Sequence, residues 1–139
     1  MIILDTCVIS EPMKARVNPT VAAWLDRQAA ETLYLTATNL SELLTGIELL
    51  PQGRRKRGMA AELRELLDRL FGERFLDFDR EAAVAYAVLV SRACSKGLAI
   101  SVADGQIAAI AAVHGFAVAT RATASFLAAG VPVVNPWES

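Results

Sequence analysis

Residues 1–10 read Met1-Ile2-Ile3-Leu4-Asp5-Thr6-Cys7-Val8-Ile9-Ser10. The first four side chains form an unbroken apolar run, the pattern of a short strand covered on both faces. Asp5 follows at once, with hydroxyls at Thr6 and Ser10 close behind. In an open α/β sheet the carboxyl end of a buried strand is where ligands bind. An aspartate there also has an ordinary structural use, satisfying the free N–H groups of the helix that follows. Its meaning depends on what else in the chain arrives at the same place.

Working outward, Thr6 to Met13 reads as a short helix. Asn18-Pro19 is a cap followed by proline at the first helical position, opening a helix to about Gln28. Leu33 to Thr36 is a second strand, and Thr38 or Asn39 is expected to cap the next helix, with Glu42 in its first turn. Pro51-Gln52-Gly53 breaks the chain. From Met59 the apolar spacing is helical through Leu63, Leu66, Leu67 and Leu70. These two helices are expected to form an antiparallel hairpin projecting from the sheet. Phe75 to Phe78 reads as a third strand and Asp79 as the cap of a helix to about Lys96, stopped by Gly97. Ser101 opens a helix ending at His114-Gly115. A fourth strand over Phe116–Thr120, a short helix near Ala124–Ala129 and an extended Val131–Val134 complete the chain. Strands alternating with helices predict an α/β fold, a central, mainly parallel sheet flanked by helices, in a single domain spanning residues 1–139.

A chain of 139 residues can build one substantial core. Its hydrophobic share of 54% exceeds what such a core needs to hide and points to a protein interface or self-association. No stretch reads as a membrane span, and the N-terminus lacks the basic segment of an export signal. Cys7 and Cys94 have no metal-ligand spacing and read as apolar filler in a reducing cytoplasm. Charge is unevenly spread: residues 1–50 carry three basic and six acidic side chains, and residues 51–74 seven basic and four acidic. Arg54-Arg55-Lys56-Arg57 leads the basic stretch. It reads either as a solvated face or as a contact for a phosphate backbone.

Asp5, Glu42 and Asp104 share a context at helix starts. Glu42 lies three residues after Asn39 and Asp104 three after Ser101, the spacing of a capping box. Asp104 also lines up at helical spacing with Ile107, Ala108 and Ala111, which turns it toward the buried side. Glu42 flanks the inner face marked by Leu43. Three inward carboxylates repel one another unless a cation joins them. Oxygen-only ligands favour Mg²⁺ or Mn²⁺, and such a site suits phosphodiester hydrolysis by an activated water. A serine nucleophile is disfavoured, because the only histidine, His114, sits at a helix C-terminus.

Leu4-Asp5-Thr6, Asn39-Leu40-Ser41-Glu42, Ser101-Val102-Ala103-Asp104, Val118-Ala119-Thr120-Arg121 and the Gly130–Trp137 tail resemble, in order and spacing, the PIN-domain ribonucleases. Within them the similarity is to the VapC toxins of type II toxin–antitoxin pairs, FitB-like branch. The resemblance implies a PIN-like fold and a Mg²⁺-dependent endoribonuclease acting on RNA, homodimeric and held inactive by a VapB-type antitoxin. It makes Asp5 and Asp104 metal ligands, and adds Glu42 to the acidic pocket through water. Thr6 and Thr120 become supporting hydroxyls and Arg121 a basic group at the rim. The antitoxin is expected to lay a C-terminal segment across a groove and close the pocket. Ala122 departs from the pattern, since relatives usually carry Asn or Asp there, and this implies attenuated activity, whether the alanine is native or introduced. The alternative is a weak or inactive PIN-like protein that mainly binds an antitoxin. A phosphatase of the haloacid-dehalogenase kind fits poorly, because Cys7 occupies the place of its second aspartate. A binding module whose acids only cap helices is the remaining alternative.

Overall fold

A computed structural model describes all residues, 1–139. Strand β1 (Ile2–Leu4) leads into the short helix α1 (Thr6–Ser10), which tightens into a 3₁₀ turn over Glu11–Met13. Pro12 cannot donate the bond that would continue the α-helix, so the single helix expected to Met13 divides at Ser10. Asn18 caps α2 (Pro19–Arg27), its side chain accepting from the N–H groups of Thr20 and Val21. Strand β2 (Leu33–Thr36) is followed by α3 (Ala37–Glu48) and α4 (Arg54–Leu70). Strand β3 contains only Phe75–Leu76, shorter than expected. Then come α5 (Arg80–Ser95), α6 (Val102–His114), β4 (Ala117–Ala119), α7 (Thr123–Ala128) and β5 (Val133–Val134), with a last 3₁₀ turn over Pro136–Glu138.

The five strands form one sheet in the order β3-β2-β1-β4-β5, and every pairing is parallel. Ile3 lies opposite Tyr34 on one side and Val118 on the other. The chain moves outward from β1 to β3, then returns to the other side of β1 for β4 and β5. The direction of winding therefore reverses between β1 and β4, where open α/β sheets form their binding crevice.

The two-residue period of the strands divides the core. Leu4, Leu33, Leu35 and Ala119 join Val8, Ile9, Trp24 and the inner sides of α3 and α4 (Leu43, Ile47, Leu63, Leu66, Leu67). Ile3 and Val118 point the other way, to Ala82, Ile107, Ala108, Ile110, Ala111 and Phe126. Both faces of the sheet are thus covered, which accounts for the continuous apolar runs in β1 and β2. Helices α3 and α4 make up the hairpin expected from sequence. No helix is long and apolar enough to cross a membrane.

Two helix starts differ from expectation. Helix α3 is capped by Thr36, whose hydroxyl accepts from the Asn39 N–H at 3.0 Å, so Glu42 lies beyond the first turn and has no capping box with Asn39. Helix α4 begins at Arg54 rather than Met59, although four basic residues oppose its dipole. Lys56 is tied to the end of α3, its ammonium donating to the Glu48 carbonyl at 3.0 Å and standing 3.8 Å from the Glu48 carboxylate. A cation at a helix C-terminus is stabilising, and here it belongs to the next helix.

Helices α5 and α6 pack together at Gly105, where an added Cβ would lie 2.6 Å from Tyr86 Cε2 and 3.1 Å from Val90 Cγ2. The Tyr86 ring is itself packed edge-on to Phe78 at 5.9 Å, so moving it away from an added methyl would disturb that contact. Glycine-to-alanine in a helix ordinarily gains about 1 kcal/mol. Here overpacking reverses the sign, and Gly105→Ala is expected to destabilise by about 1–3 kcal/mol in urea denaturation. Adding Tyr86→Leu should recover most of that loss.

Candidate active site at the carboxyl ends of β1 and β4

Asp5 stands at the crevice where the sheet reverses. Its N–H donates to the Ala119 carbonyl at 2.9 Å, extending the β1–β4 ladder by one bond. Only 8% of the residue is exposed, so a carboxylate here needs partners. It has three strong ones, all neutral donors. Oδ1 accepts from the Thr6 N–H at 2.9 Å and from the Asn39 amide at 3.1 Å. Oδ2 accepts from the Thr120 hydroxyl at 2.7 Å. Asp5 does cap α1, but the cap accounts for only one of these bonds.

The network spreads from that carboxylate. Asn39 Nδ2 also donates to Thr6 Oγ1 at 3.1 Å, and Thr6 Oγ1 donates to Glu42 Oε1 at 2.9 Å. The Thr36 hydroxyl donates to Asn39 Oδ1 at 2.6 Å. Thr120, fully buried, takes the Ala122 N–H at 3.0 Å on its oxygen. Residues from α1, α3 and the end of β4 are thereby fixed around one charge. Asn39 is the member that sequence reading missed, taking it only for a cap. The available signal was its position three residues before Glu42, which puts both on one side of α3.

Asp104 arrives from the opposite face of the sheet, in the first turn of α6. Ser101 caps that helix by accepting the Asp104 N–H at 3.1 Å. Burial and then the negative charge of Asp5 push the Asp104 carboxyl above the usual aspartate range, against smaller lowering contributions from the Ser125 and Ser101 hydroxyls. The two acids therefore feel each other across the crevice. Glu42 is exposed and joins them only through Thr6. As the side chains lie, no three acids, histidines or cysteines are close enough to hold one ion together.

The chemistry of the donors nonetheless fits a hard cation. The chain's ion pairs are Lys14 with Glu11 and Lys56 with Glu48, so Asp5, Glu42 and Asp104 have none. All their free ligand atoms are oxygens, the set preferred by Mg²⁺-like ions. Cys7 lies beside them with Sγ 4.0 Å from Asp5 Oδ2; burial is the largest cause raising its thiol pKa, and it remains unpaired, as does Cys94.

Arg121 and Ala122 follow Thr120 directly at the rim, both exposed. Ala122 occupies the N-cap position of α7 and provides no side-chain cap. Next to the acids, a groove of about 730 Å³ has Thr6 and Glu42 at its polar end. Its floor is Met13, Leu43, Ile47, Leu50, Met59 and Leu63, and Lys14 and Arg55 supply the positive charge along it.

This fold and this acid arrangement define a PIN-domain protein: the PIN domain model matches residues 2–126, and the chain belongs to that family. VapC ribonuclease Y4jK of Sinorhizobium fredii is 48% identical over 139 residues, covering 99% of each chain. Toxin FitB of Neisseria gonorrhoeae is 46% identical over 137 residues, again covering 99% of each. The crystal structure of FitAcB from Neisseria gonorrhoeae superposes with a TM-score of 0.95 at 45% identity, covering 100% of both chains.

The Asn39 geometry has a measurable consequence. Asn39→Ala leaves the Thr36 hydroxyl and Asp5 Oδ1 each short of a buried partner. Urea denaturation should show a loss of about 1–3 kcal/mol.

Proposed function

We propose that the protein is a Mg²⁺-dependent endoribonuclease, the toxin of a VapBC-type toxin–antitoxin pair. The observation that carries this reading is the Asp5 carboxylate, buried at the sheet's crevice and held by neutral donors alone, beside a second, half-buried acid, Asp104, with neither of them in an ion pair. The 46–48% identity to a VapC ribonuclease and to Toxin FitB over nearly the whole chain supports it.

In this reading Asp5 and Asp104 hold the metal and Glu42 acts through water. Held by Asp5 and Asp104, Mg²⁺ or Mn²⁺ would supply Lewis-acid polarisation of the phosphoryl oxygen and a more acidic attacking water. The protein's own part is positioning. Asn39, Thr120 and the Thr6 N–H fix the plane of the Asp5 carboxylate. Thr6 holds one oxygen of Glu42, and the other is left to orient the attacking water and accept its proton.

The groove beside Glu42 fits a VapB-type antitoxin segment. An amphipathic helix would cover its apolar floor, and a basic side chain at its end would neutralise Glu42. RNA as substrate and two unpaired cysteines fit a reducing cytoplasm. Val84, Val88, Leu98 and Val102 are exposed apolar side chains of the kind a homodimer would cover.

The metal role has a thermal readout. Mg²⁺ or Mn²⁺ is expected to raise the melting temperature of the native chain, while Asp5→Asn abolishes both that rise and RNA cleavage. Folded Asp104 holds its proton more tightly than unfolded Asp104. The metal-free protein therefore loses stability as pH rises through the raised Asp104 range. Cation and proton compete for the same oxygens, so the Mg²⁺-induced rise should grow from about pH 4 to about pH 7. A melting temperature indifferent to both ions at every pH would favour a binding module without metal chemistry.

Ala122 favours a version of this reading with weakened catalysis. Ala122→Asn and Ala122→Asp each supply α7 with a cap and should stabilise by about 1 kcal/mol. Only the aspartate adds a charge to the acid cluster. Cleavage rising in Ala122→Asp alone assigns the effect to that charge; cleavage rising equally in both assigns it to the cap.

A further inference from the structure

The tail Gly130-Val131-Pro132-Val133-Val134-Asn135-Pro136-Trp137 contributes no acid and no ligand to the site, yet it is built with care around Arg121. The guanidinium carbon of Arg121 lies 5.1 Å from the centre of the Trp137 ring, within the range of a cation–π contact. Both partners are anchored. Arg121 follows Thr120, whose N–H donates to the Val134 carbonyl at 2.9 Å and whose hydroxyl holds Asp5. Trp137 comes three residues after Val134 in a turn closed by Asn135, whose side chain accepts the Trp137 N–H at 3.0 Å. Pro136 is buried, and Trp137 packs against the core on the α1–α4 side of the sheet. Arg27 fixes the end of the tail through Ser139 at 2.7 Å. The buried Glu11 carboxylate also feels the Arg121 charge, and Asn18 and Lys14 hold it in place.

An acidic crevice repels a polyanion, so an RNA strand approaching Asp5 needs a positive group at its edge. Arg121 is exposed and makes no ion pair. An unrestrained arginine loses much rotamer freedom when it grips a phosphate. Stacking on an aromatic face removes part of that freedom beforehand and leaves the edge N–H groups open to a bidentate contact.

We propose that Trp137 is a positioning residue, its indole face holding the Arg121 guanidinium ready for a phosphate of the RNA strand beside Asp5. The inference rests on the ribonuclease reading. The test is binding of a fluorescein-labelled single-stranded RNA dodecamer of mixed sequence in EDTA, where no cleavage occurs, followed by fluorescence anisotropy at several salt concentrations. Arg121→Gln should weaken binding roughly tenfold and lower the salt slope by about 1. Trp137→Leu should weaken it about three- to tenfold, and Trp137→Phe less than about twofold. The double variant Arg121→Gln/Trp137→Leu should bind no more weakly than Arg121→Gln alone. Tetrafluorotryptophan at 137 keeps the ring's shape while removing its negative face. It should reproduce the Trp137→Leu loss, so the test survives if the leucine variant fails to fold. Native affinity in the tetrafluoro protein, or losses that simply add in the double variant, would overturn the proposal and leave the ribonuclease reading standing. Failure of the unaltered protein to bind the RNA even at low salt would overturn both.

Discussion

A buried carboxylate at the point where a parallel sheet changes its winding direction is the constraint on which this structure turns. Asp5 is costly to bury alone, and its three donors come from three separate places: the start of α1, the first turn of α3 and the end of β4. Each donor is in turn occupied elsewhere. Asn39 is locked by Thr36, Thr6 reaches on to Glu42, and Thr120 takes the Ala122 N–H. Moving any one of these elements would leave a buried polar group without a partner. The crevice is therefore held by the same bonds that shape its chemistry. None of the donors carries a charge, so the site is geometrically satisfied and electrostatically open.

The remaining parts of the fold serve that opening from two sides. On one face, α6 brings Asp104 in against the charge of Asp5, and the tight approach of Gly105 to Tyr86 sets how closely α6 lies against α5. On the other, α3 and α4 enclose an apolar groove that ends at Glu42 and Thr6. Acids that want a cation and a groove that wants an apolar partner are thus adjacent. In the proposed function this juxtaposition lets one bound antitoxin segment cover the groove and reach the catalytic acids.

Much of this was legible in the linear chain, and its failures have local causes. Asn18, Asp79 and Ser101 cap the helices assigned to them, and Gly115, at φ +70°, ends α6 in the left-handed conformation expected after a last turn. Thr38 and Asn39 suit the capping role that belongs to Thr36 equally well in sequence, since all three polar residues lie within four positions. Which one serves is decided by where β2 ends against its neighbours. Apolar spacing marks α4 only from Met59, because Arg54 to Arg57 offer no apolar side chain to show a helical period, although the helix begins at Arg54. The Lys56 bond to the end of α3 is a contact that no window of sequence contains. Ala122 was noted as a missing acid; its second deficiency, as an uncapped helix start, depends on α7 beginning at Thr123.

The linear order of residues determined the α/β alternation, the two-sided burial of β1 and the three acids set at or near helix starts, since hydrophobic period and capping chemistry act over a few neighbours. It could not determine that Asn39, rather than an ordinary cap, would grip Asp5, nor that Asp104 would face Asp5 while Glu42 joined only through a threonine. It also could not bring Arg121 over Trp137. Those relations join residues 16 to 99 positions apart, and the pairing of β1 with both β2 and β4, and of β4 with β5, closes the distance. Local sequence decides what each residue can do; the register of the sheet decides which of them meet.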